Sequence, residues 1–241
     1  MSAYKSKRRK ALAPIHEQTK GKALPLKEAI QALRQGPKTK FDQSLEIQFK
    51  LGVDLTANDQ VVRGTTVLPH GQGKKLRVIV FCKDENAKLA KEAGAVEVGA
   101  EDLIEKVLGG WMDFDVAVST PMMMKEVGKL GKALGPRGLM PSPKAGTVTD
   151  KPANAVKEVM SGRIEFKMDK FANMHTLIGK LSFSDAALYE NGAKLVESVL
   201  HAKPKTLKGT YIKGAHLSSS MGPGIKLDLT KFVKELETEA D

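Results

Sequence analysis

A single cysteine, Cys82, stands in 241 residues, so no internal disulfide can form and neither a CxxC redox pair nor a cysteine-built zinc site is available. Cys82 lies in the apolar run LRVIVFC (76–82), where a thiol packs as a small buried hydrophobe, and such a chain suits a reducing, intracellular compartment. Aromatic residues are scarce, with eight Phe, three Tyr and one Trp, too few for a sheet that stacks several bases on a platform of rings. No apolar stretch approaches the ~18 residues of a membrane span, and the amino terminus lacks the apolar region of a signal peptide. The expectation is a cytoplasmic protein with no membrane partner.

Catalytic groupings are missing as well. The five histidines, His16, His70, His175, His201 and His216, are isolated in sequence, with no pair at HxxxH spacing. No GxSxG or GxxxxGK[ST] occurs. The nearest approach to a nucleotide fingerprint is GKLGKALGPRG (128–138). It lacks GxGxxG, and it follows a helix-like stretch where the fingerprint follows a strand directly. The expectation is a non-enzymatic chain that needs no metal and no cofactor. The competing reading is a nucleotide-dependent α/β enzyme that uses residues 74–160 as its cofactor domain, and binding of a panel of nucleotides separates the two.

What is present is positive charge. With 39 basic against 28 acidic residues the net charge is +11, which suits a polyanionic partner. The excess is amino-terminal: 13 basic against 6 acidic residues over 1–70, 14 against 12 over 71–161, and 12 against 10 over 162–241. Much of it is the run KSKRRK (5–10), which reads either as a solvated disordered arm or as a phosphate contact.

Hydrophobic patterning divides the chain. Between 74 and 120 the apolar runs LRVIVFC and FDVAVST and the short VEVG are separated by the helix-like KDENAKLAKEAGA and AEDLIEKVLGG. Unbroken apolar strands alternating with helices predict a parallel sheet covered on both faces, a small three-layer α/β domain. The flanks alternate instead. SLEIQFKL (44–51) sets Leu45, Ile47, Phe49 and Leu51 against Glu46, Gln48 and Lys50, and RIEFKMDK (163–170) does the same with Ile164, Phe166 and Met168. Such strands keep one face in a core and one in water. A helix with Leu188, Leu195, Val199 and Leu200 follows the cap residues Ser184 and Asp185, and then come strand-like GTYIKGAHL, SSSMGPG and IKLDL. The economical arrangement is one α+β domain from both chain ends, 1–70 and 162–241, with an α/β domain, 71–161, inserted at glycine-bearing crossings.

Two turn-rich segments stand out. Over 129–146, Lys129, Lys132, Arg137 and Lys144 alternate with Gly131, Gly135, Gly138 and Gly146, while Pro136, Pro141 and Pro143 forbid helix over most of the stretch. The expectation is an extended cationic surface loop. SSSMGPG (218–224) offers hydroxyls and exposed amides that bond phosphate and ribose without charge.

Taken in order, KFDQSLEIQFKLGVD, VRGTTVLPHGQGK, LGKALGPRGLMPSPKAGTV and SSSMGPG resemble the bacterial large-subunit ribosomal protein family of the mobile stalk beside the tRNA exit site, the universal protein numbered first in that subunit (uL1). The resemblance runs over roughly residues 8–235, and LGPRGLMPxPKxGT is its most specific part. It implies a split α+β domain with an inserted Rossmann-like domain, and a protein that is monomeric when free and sits in the large subunit among other ribosomal components. Its implied partners are the stalk region of large-subunit rRNA, the deacylated exit-site tRNA whose release it assists, and the mRNA of its own operon, whose translation many members repress. Carried over by motif position, the rRNA-facing residues are Lys40, Phe41, Ser44, Lys167, Asp169, Lys170, His175, Ser218, Ser219, Ser220, Met221 and Gly222. Lys129, Lys132, Arg137 and Lys144 form a possible second RNA-facing loop. The chain departs from the family pattern with Ser218–Ser220 where three threonines are common, Gly214 where serine is common, and a bulkier KMDKFANMH turn.

Overall fold

The computed structural model describes residues 6–55, 58–83 and 85–230; Lys5 of the basic run and Asp84 of the helix-like sequence KDENAKLAKEAGA lie outside them. The fold is mixed α/β, and the chain divides into two compact units, one of residues 1–73 with 165–241 and the other Lys74–Ile164.

In the first unit, helices α1 (Lys7–Thr19) and α2 (Leu26–Arg34) precede strands β1 (Ser44–Leu51) and β2 (Arg63–Val67). In the second, β3 (Val78–Phe81), α3 (Glu85–Glu92), β4 (Glu97–Gly99), α4 (Glu101–Leu108) and β5 (Val116–Ser119) alternate. They are followed by α5 (Met124–Val127), α6 (Gly131–Leu134) and α7 (Pro152–Met160). The chain then returns through β6 (Arg163–Lys167), β7 (Asn173–Lys180), α8 (Asp185–His201), β8 (Ile212–Ser219) and β9 (Ile225–Lys226).

The first unit is built on a four-stranded sheet in the order β7-β1-β8-β9, antiparallel throughout. Strand β1 sits inside it, and its alternation is realised: Leu45, Ile47, Phe49 and Leu51 are buried on one face. Two helices cover that face. Leu26, Ala29, Ile30 and Leu33 of α2 recur at helical spacing and are all buried. In α8, capped by the Ser184 hydroxyl accepting from the Ala187 amide at 3.2 Å, the buried stripe is Leu188, Leu195, Val196 and Val199, not Leu200. Gly192 lets α8 come close, since a Cβ there would stand 2.8 Å from Leu26 Cδ2 and 3.6 Å from Ile47 Cδ1. The fully buried Asn191 spends its side chain on three backbone groups. Its Nδ2 donates to Gly71 and Ile178 carbonyls at 3.0 and 2.8 Å, and its Oδ1 accepts from the His70 amide at 3.0 Å. A separate two-stranded sheet pairs β2 with β6.

The second unit has a parallel sheet in the order β4-β3-β5. Ile79, Phe81 and Ala117 face Leu103, Ile104 and Val107 of α4, with Val127, Leu130 and Leu134. Val78, Val80 and Val118 face Ala90 of α3 and Ala155, Val156 and Val159 of α7 on the other side. Cys82 is buried in the latter cluster.

Three local expectations are corrected. The basic run is not an arm: from Lys7 it forms α1, whose first turn is capped by the Ser6 hydroxyl accepting from the Arg9 amide at 3.2 Å. Lys, Arg, Ala and Leu, which make up KRRKALA, are good helix formers, so charge density alone did not argue against helix. The 129–146 segment is not extended throughout: Leu130 and Leu134 are fully buried, and α6 occupies the stretch ahead of the first proline, Pro136. Its four cations are nonetheless all exposed. Finally, β8 runs on through Ser218 and Ser219, so two of the three serines are strand residues and the turn starts at Ser220.

Candidate nucleic-acid interface

The solvent face of the four-stranded sheet is polar. Register sets His175, Gln48, His216 and Lys226 side by side in one row, because Gln48 pairs with both His175 and His216, and His216 pairs with Lys226. The row on one side of it holds Leu177, Glu46 and Ser218, and the row on the other side sets Lys50 between Asn173 and Gly214. Neighbours across such rows stand about 5 Å apart, which puts side-chain donors at a density suited to a backbone of sugars and phosphates. Gln48 Nε2 donates to Ser218 Oγ at 2.7 Å, fixing the amide's orientation.

At the amino-terminal end of β1 the candidate residues converge. The Ser220 amide donates to the Ser44 carbonyl at 3.0 Å, and the Ser44 amide donates to Ser220 Oγ, also at 3.0 Å. Lys180 Nζ donates to Ser44 Oγ at 2.8 Å. The buried Gln43 accepts the Met221 amide on its Oε1 at 3.1 Å. Arg8 of α1 donates from Nε and Nη2 to the Met221 carbonyl at 3.2 and 3.0 Å. Around this bonded knot, Phe41 is 54% and Met221 46% exposed, and Lys40 stands in solvent. These bonds hold a cation-rimmed, partly apolar prominence in one shape and leave the Phe41 and Met221 side chains exposed.

Lys40, Phe41, Ser44, Ser218, Ser220, Met221 and Gly222 belong to this end. Ser219 does not face outward with them: it is buried, because β8 is still a strand there and consecutive side chains take opposite faces. Gly222 also has a role other than access for a ligand. A Cβ there would fall 2.3 Å from Ser219 Oγ and 3.2 Å from Leu33 Cδ2, so the glycine serves the close approach of the turn to its own strand.

His175 lies in the middle row, and Lys167, Asp169 and Lys170 lie around the β6–β7 turn. That turn meets the carboxyl-terminal end of β1, about 20 Å along the strand from Ser44. Asp169 Oδ1 accepts from the amides of Asn173 at 2.7 Å and Phe171 at 2.8 Å, and Oδ2 from Asn173 Nδ2 at 3.3 Å. These bonds, the Asn173 amide first, hold its carboxyl below the usual carboxylate range.

Gln48, His216 and Lys180 were not singled out from the sequence, and Arg8 entered only as one cation of the run KSKRRK (5–10). The first two were within reach: the alternation that places Gln48 outward in β1 does the same for Gly214, His216 and Ser218 in β8. Lys180 and Arg8 depend on pairings more than a hundred residues apart.

In the second unit, the four loop cations Lys129, Lys132, Arg137 and Lys144 are exposed. A cavity of about 700 Å³ beyond the ends of β3 and β5 is lined by Lys83, Asn86, Thr120, Met122, Met123, Glu126 and Asp150. None of Lys129, Lys132, Arg137 and Lys144 is among the residues that line it.

Sequence comparison gives the relationship. A profile of the ribosomal protein L1p/L10e family matches residues 28–223. The chain is 54% identical to the large ribosomal subunit protein uL1 of Beutenbergia cavernae over 204 residues, 85% of this chain and 86% of the relative. It is 51% identical to the protein of the same name from Protochlamydia amoebophila over 208 residues, 86% and 88% of the two chains. With the profile spanning most of its length and relatives this similar over nearly all of theirs, the chain belongs to the ribosomal protein L1p/L10e family.

Proposed function

We propose that the chain is a structural, non-enzymatic protein of the large ribosomal subunit in the cytoplasm, which binds the stalk region of large-subunit rRNA through the sheet face and turn of its first unit. In this reading the two chain ends make one split α+β RNA-binding domain, and the second unit is an inserted Rossmann-like domain. The assembled stalk assists release of deacylated tRNA from the exit site. The free monomer binds the mRNA of its own operon at a site shaped like the rRNA and represses its translation. The exposed loop with Lys129, Lys132, Arg137 and Lys144 supplies a second RNA-facing surface.

The observation that carries this reading is the knot at the amino-terminal end of β1. The backbone amides of Ser44, Ser220 and Met221 are all bonded within the knot, with Phe41 and Met221 exposed and Arg8 and Lys180 bonded into the same structure. Hydroxyls, amides and a few cations on a rigid frame read RNA shape through 2′-hydroxyls and phosphates. The test is crosslinking of the protein to RNA in cells with sequencing of the recovered fragments. Recovery of one large-subunit rRNA segment, and of the leader of the operon that encodes the chain, is the expected result. Recovery spread over unrelated RNAs would reject it.

A further inference from the structure

The turn between β6 and β7 carries an exposed aromatic ring. Phe171 is 70% exposed, an unusual position for a large apolar side chain on a segment built so firmly. Asp169 Oδ1 accepts the amide of Phe171 itself at 2.8 Å, and the Asp169 amide donates to the Asn173 carbonyl at 2.7 Å. The next residue, Ala172, is buried and takes a φ of 57°, a left-handed conformation that costs an L-residue of order 1 kcal/mol and turns the chain so that Ala172 points in while its neighbour points out. The Ala172 carbonyl accepts the Leu51 amide at 2.8 Å, and the Phe171 carbonyl accepts Lys50 Nζ at 2.6 Å. The turn is therefore fastened to the end of β1 from both sides.

We infer that Phe171 is a stacking contact for an unpaired base of the RNA that the first unit binds, an inference that rests on the function proposed above. The surroundings favour a nucleic acid over an apolar protein partner. Lys50 is bonded to the residue's own carbonyl, Lys170 adjoins it in sequence, Lys167 ends the strand that leads into the turn, and all three are exposed. The one carboxylate of the turn, Asp169, stays ionised, but its oxygens are turned to N–H groups of the turn itself, and the three lysines outnumber it. A single ring needs no platform: sequence-specific RNA recognition reaches bases that are already unstacked in loops and bulges, and one aromatic face takes any of them. Because the turn is fixed before binding, little ordering cost remains to be met when the base arrives. With the Ser44–Met221 knot about 20 Å away along β1, the sheet face would then be held on its RNA at both ends.

The experiment compares the full-length chain with Phe171→Leu, Phe171→Ala and Phe171→Trp on a fragment of large-subunit stalk rRNA. Leu and Ala should weaken binding about 5- to 100-fold, the range equivalent to loss of one base–aromatic stack, while Trp restores it. The slope of log affinity against log salt should stay unchanged in Phe171→Leu, because no phosphate contact is lost, whereas Lys170→Gln should reduce it by roughly 0.7–0.9. With 2-aminopurine placed in turn at each unpaired position, one position should be quenched by the parent protein and not by Phe171→Leu. Thermal unfolding should not move, since the ring lies mostly in water. If the parent chain binds tightly and Phe171→Leu matches it within twofold, with no responding base, the inference is wrong and the proposed function stands. If the parent chain does not prefer the stalk fragment to unrelated structured RNA, both fall. Normal RNA binding combined with poor incorporation into subunits would assign Phe171 to a protein neighbour and overturn the base contact.

Discussion

Arg8 and Met221, 213 positions apart, are joined by two hydrogen bonds from one guanidinium to one carbonyl. The contact brings the start of α1 against the turn that follows β8, so the cations at the head of the chain and the hydroxyls near its tail share one surface. An exposed bond of this kind contributes at most about 1 kcal/mol to folding. Its larger effect is to aim positive charge. Arg8→Ala should leave thermal unfolding nearly unchanged, weaken binding of stalk RNA about 3- to 10-fold, and lower the salt slope by up to ~0.9. A salt titration of the dissociation constant decides it: an unaltered slope would leave Arg8 with a purely structural part.

Gly222 and Ser219 should be coupled energetically. An added Cβ at 222 meets Ser219 Oγ at 2.3 Å but Ser219 Cβ only at 3.5 Å. Gly222→Ala should therefore destabilise the chain by about 1–3 kcal/mol through overpacking, and Ser219→Ala in the same chain should recover at least half of that loss. Urea unfolding of the two single variants and the double variant measures the coupling. Additive losses would place the strain elsewhere, at Leu33 Cδ2 or in the backbone. Met221→Asp makes the cleaner test of RNA contact, because that side chain is half in water and a carboxylate beside phosphates is repelled.

The sequence disclosed what repeats locally. The strict alternation of SLEIQFKL fixed both the strand and its buried face, and the apolar VIVF marked a strand covered on both sides, because each signal needs only neighbours along the chain. Features that depend on distant pairs were hidden. Nothing near KSKRRK tells that Arg8 will meet Met221, and nothing near SSSMGPG tells that Ser219 turns inward to meet Gly222. The Asp169 turn was hidden for another reason: the left-handed position falls on Ala172 and not on glycine or asparagine, so the usual mark of such a turn is missing. In the 129–146 segment the three prolines suggested extension, but the first of them comes only after Leu130 and Leu134 have already packed into the core.

Asp115 gives the second unit a dependence on acid. Its carboxylate accepts from Lys74 Nζ at 2.7 Å, the Arg77 amide at 3.1 Å and Arg77 Nε at 3.2 Å, and the Lys74 bond leads in lowering its pKa from 3.8 to about 2. A carboxyl whose pKa is lower folded than unfolded stabilises the fold above its unfolded value and loses that contribution as pH falls. The loss should run from about pH 4 down to about pH 2, and with screening by solvent it amounts to about 1–2 kcal/mol. Asp115→Asn should remove this part of the acid sensitivity and lower stability at neutral pH. Urea midpoints between pH 2 and pH 7 compare the two chains, and parallel curves would mean that Asp115 is not the responsible group.

The first unit should survive removal of the second. Its four-stranded sheet is made wholly of β7, β1, β8 and β9, and the helices on it, α2 and α8, also lie outside residues 74–164. The buried residues Leu26, Ile30, Ile47, Phe49, Leu188 and Leu195 all lie outside the removed segment. The chain leaves at Gly73 and returns at Glu165, so a short Gly/Ser linker replaces residues 74–164 at the cost of Arg163 and Ile164 from β6. Phe166, which lies against Gly64 of β2, stays. The shortened protein should unfold cooperatively and bind stalk RNA within about tenfold of the full chain, with Lys129, Lys132, Arg137 and Lys144 accounting for the difference, while any step that engages tRNA through the second unit is lost. The measurement is the dissociation constant of each form for the same stalk fragment, beside a thermal melt that establishes folding. A loss of about a thousandfold, or about 4 kcal/mol, in a shortened protein that melts normally would move the primary RNA site into the second unit and overturn the assignment made from Ser44, Ser220 and Met221.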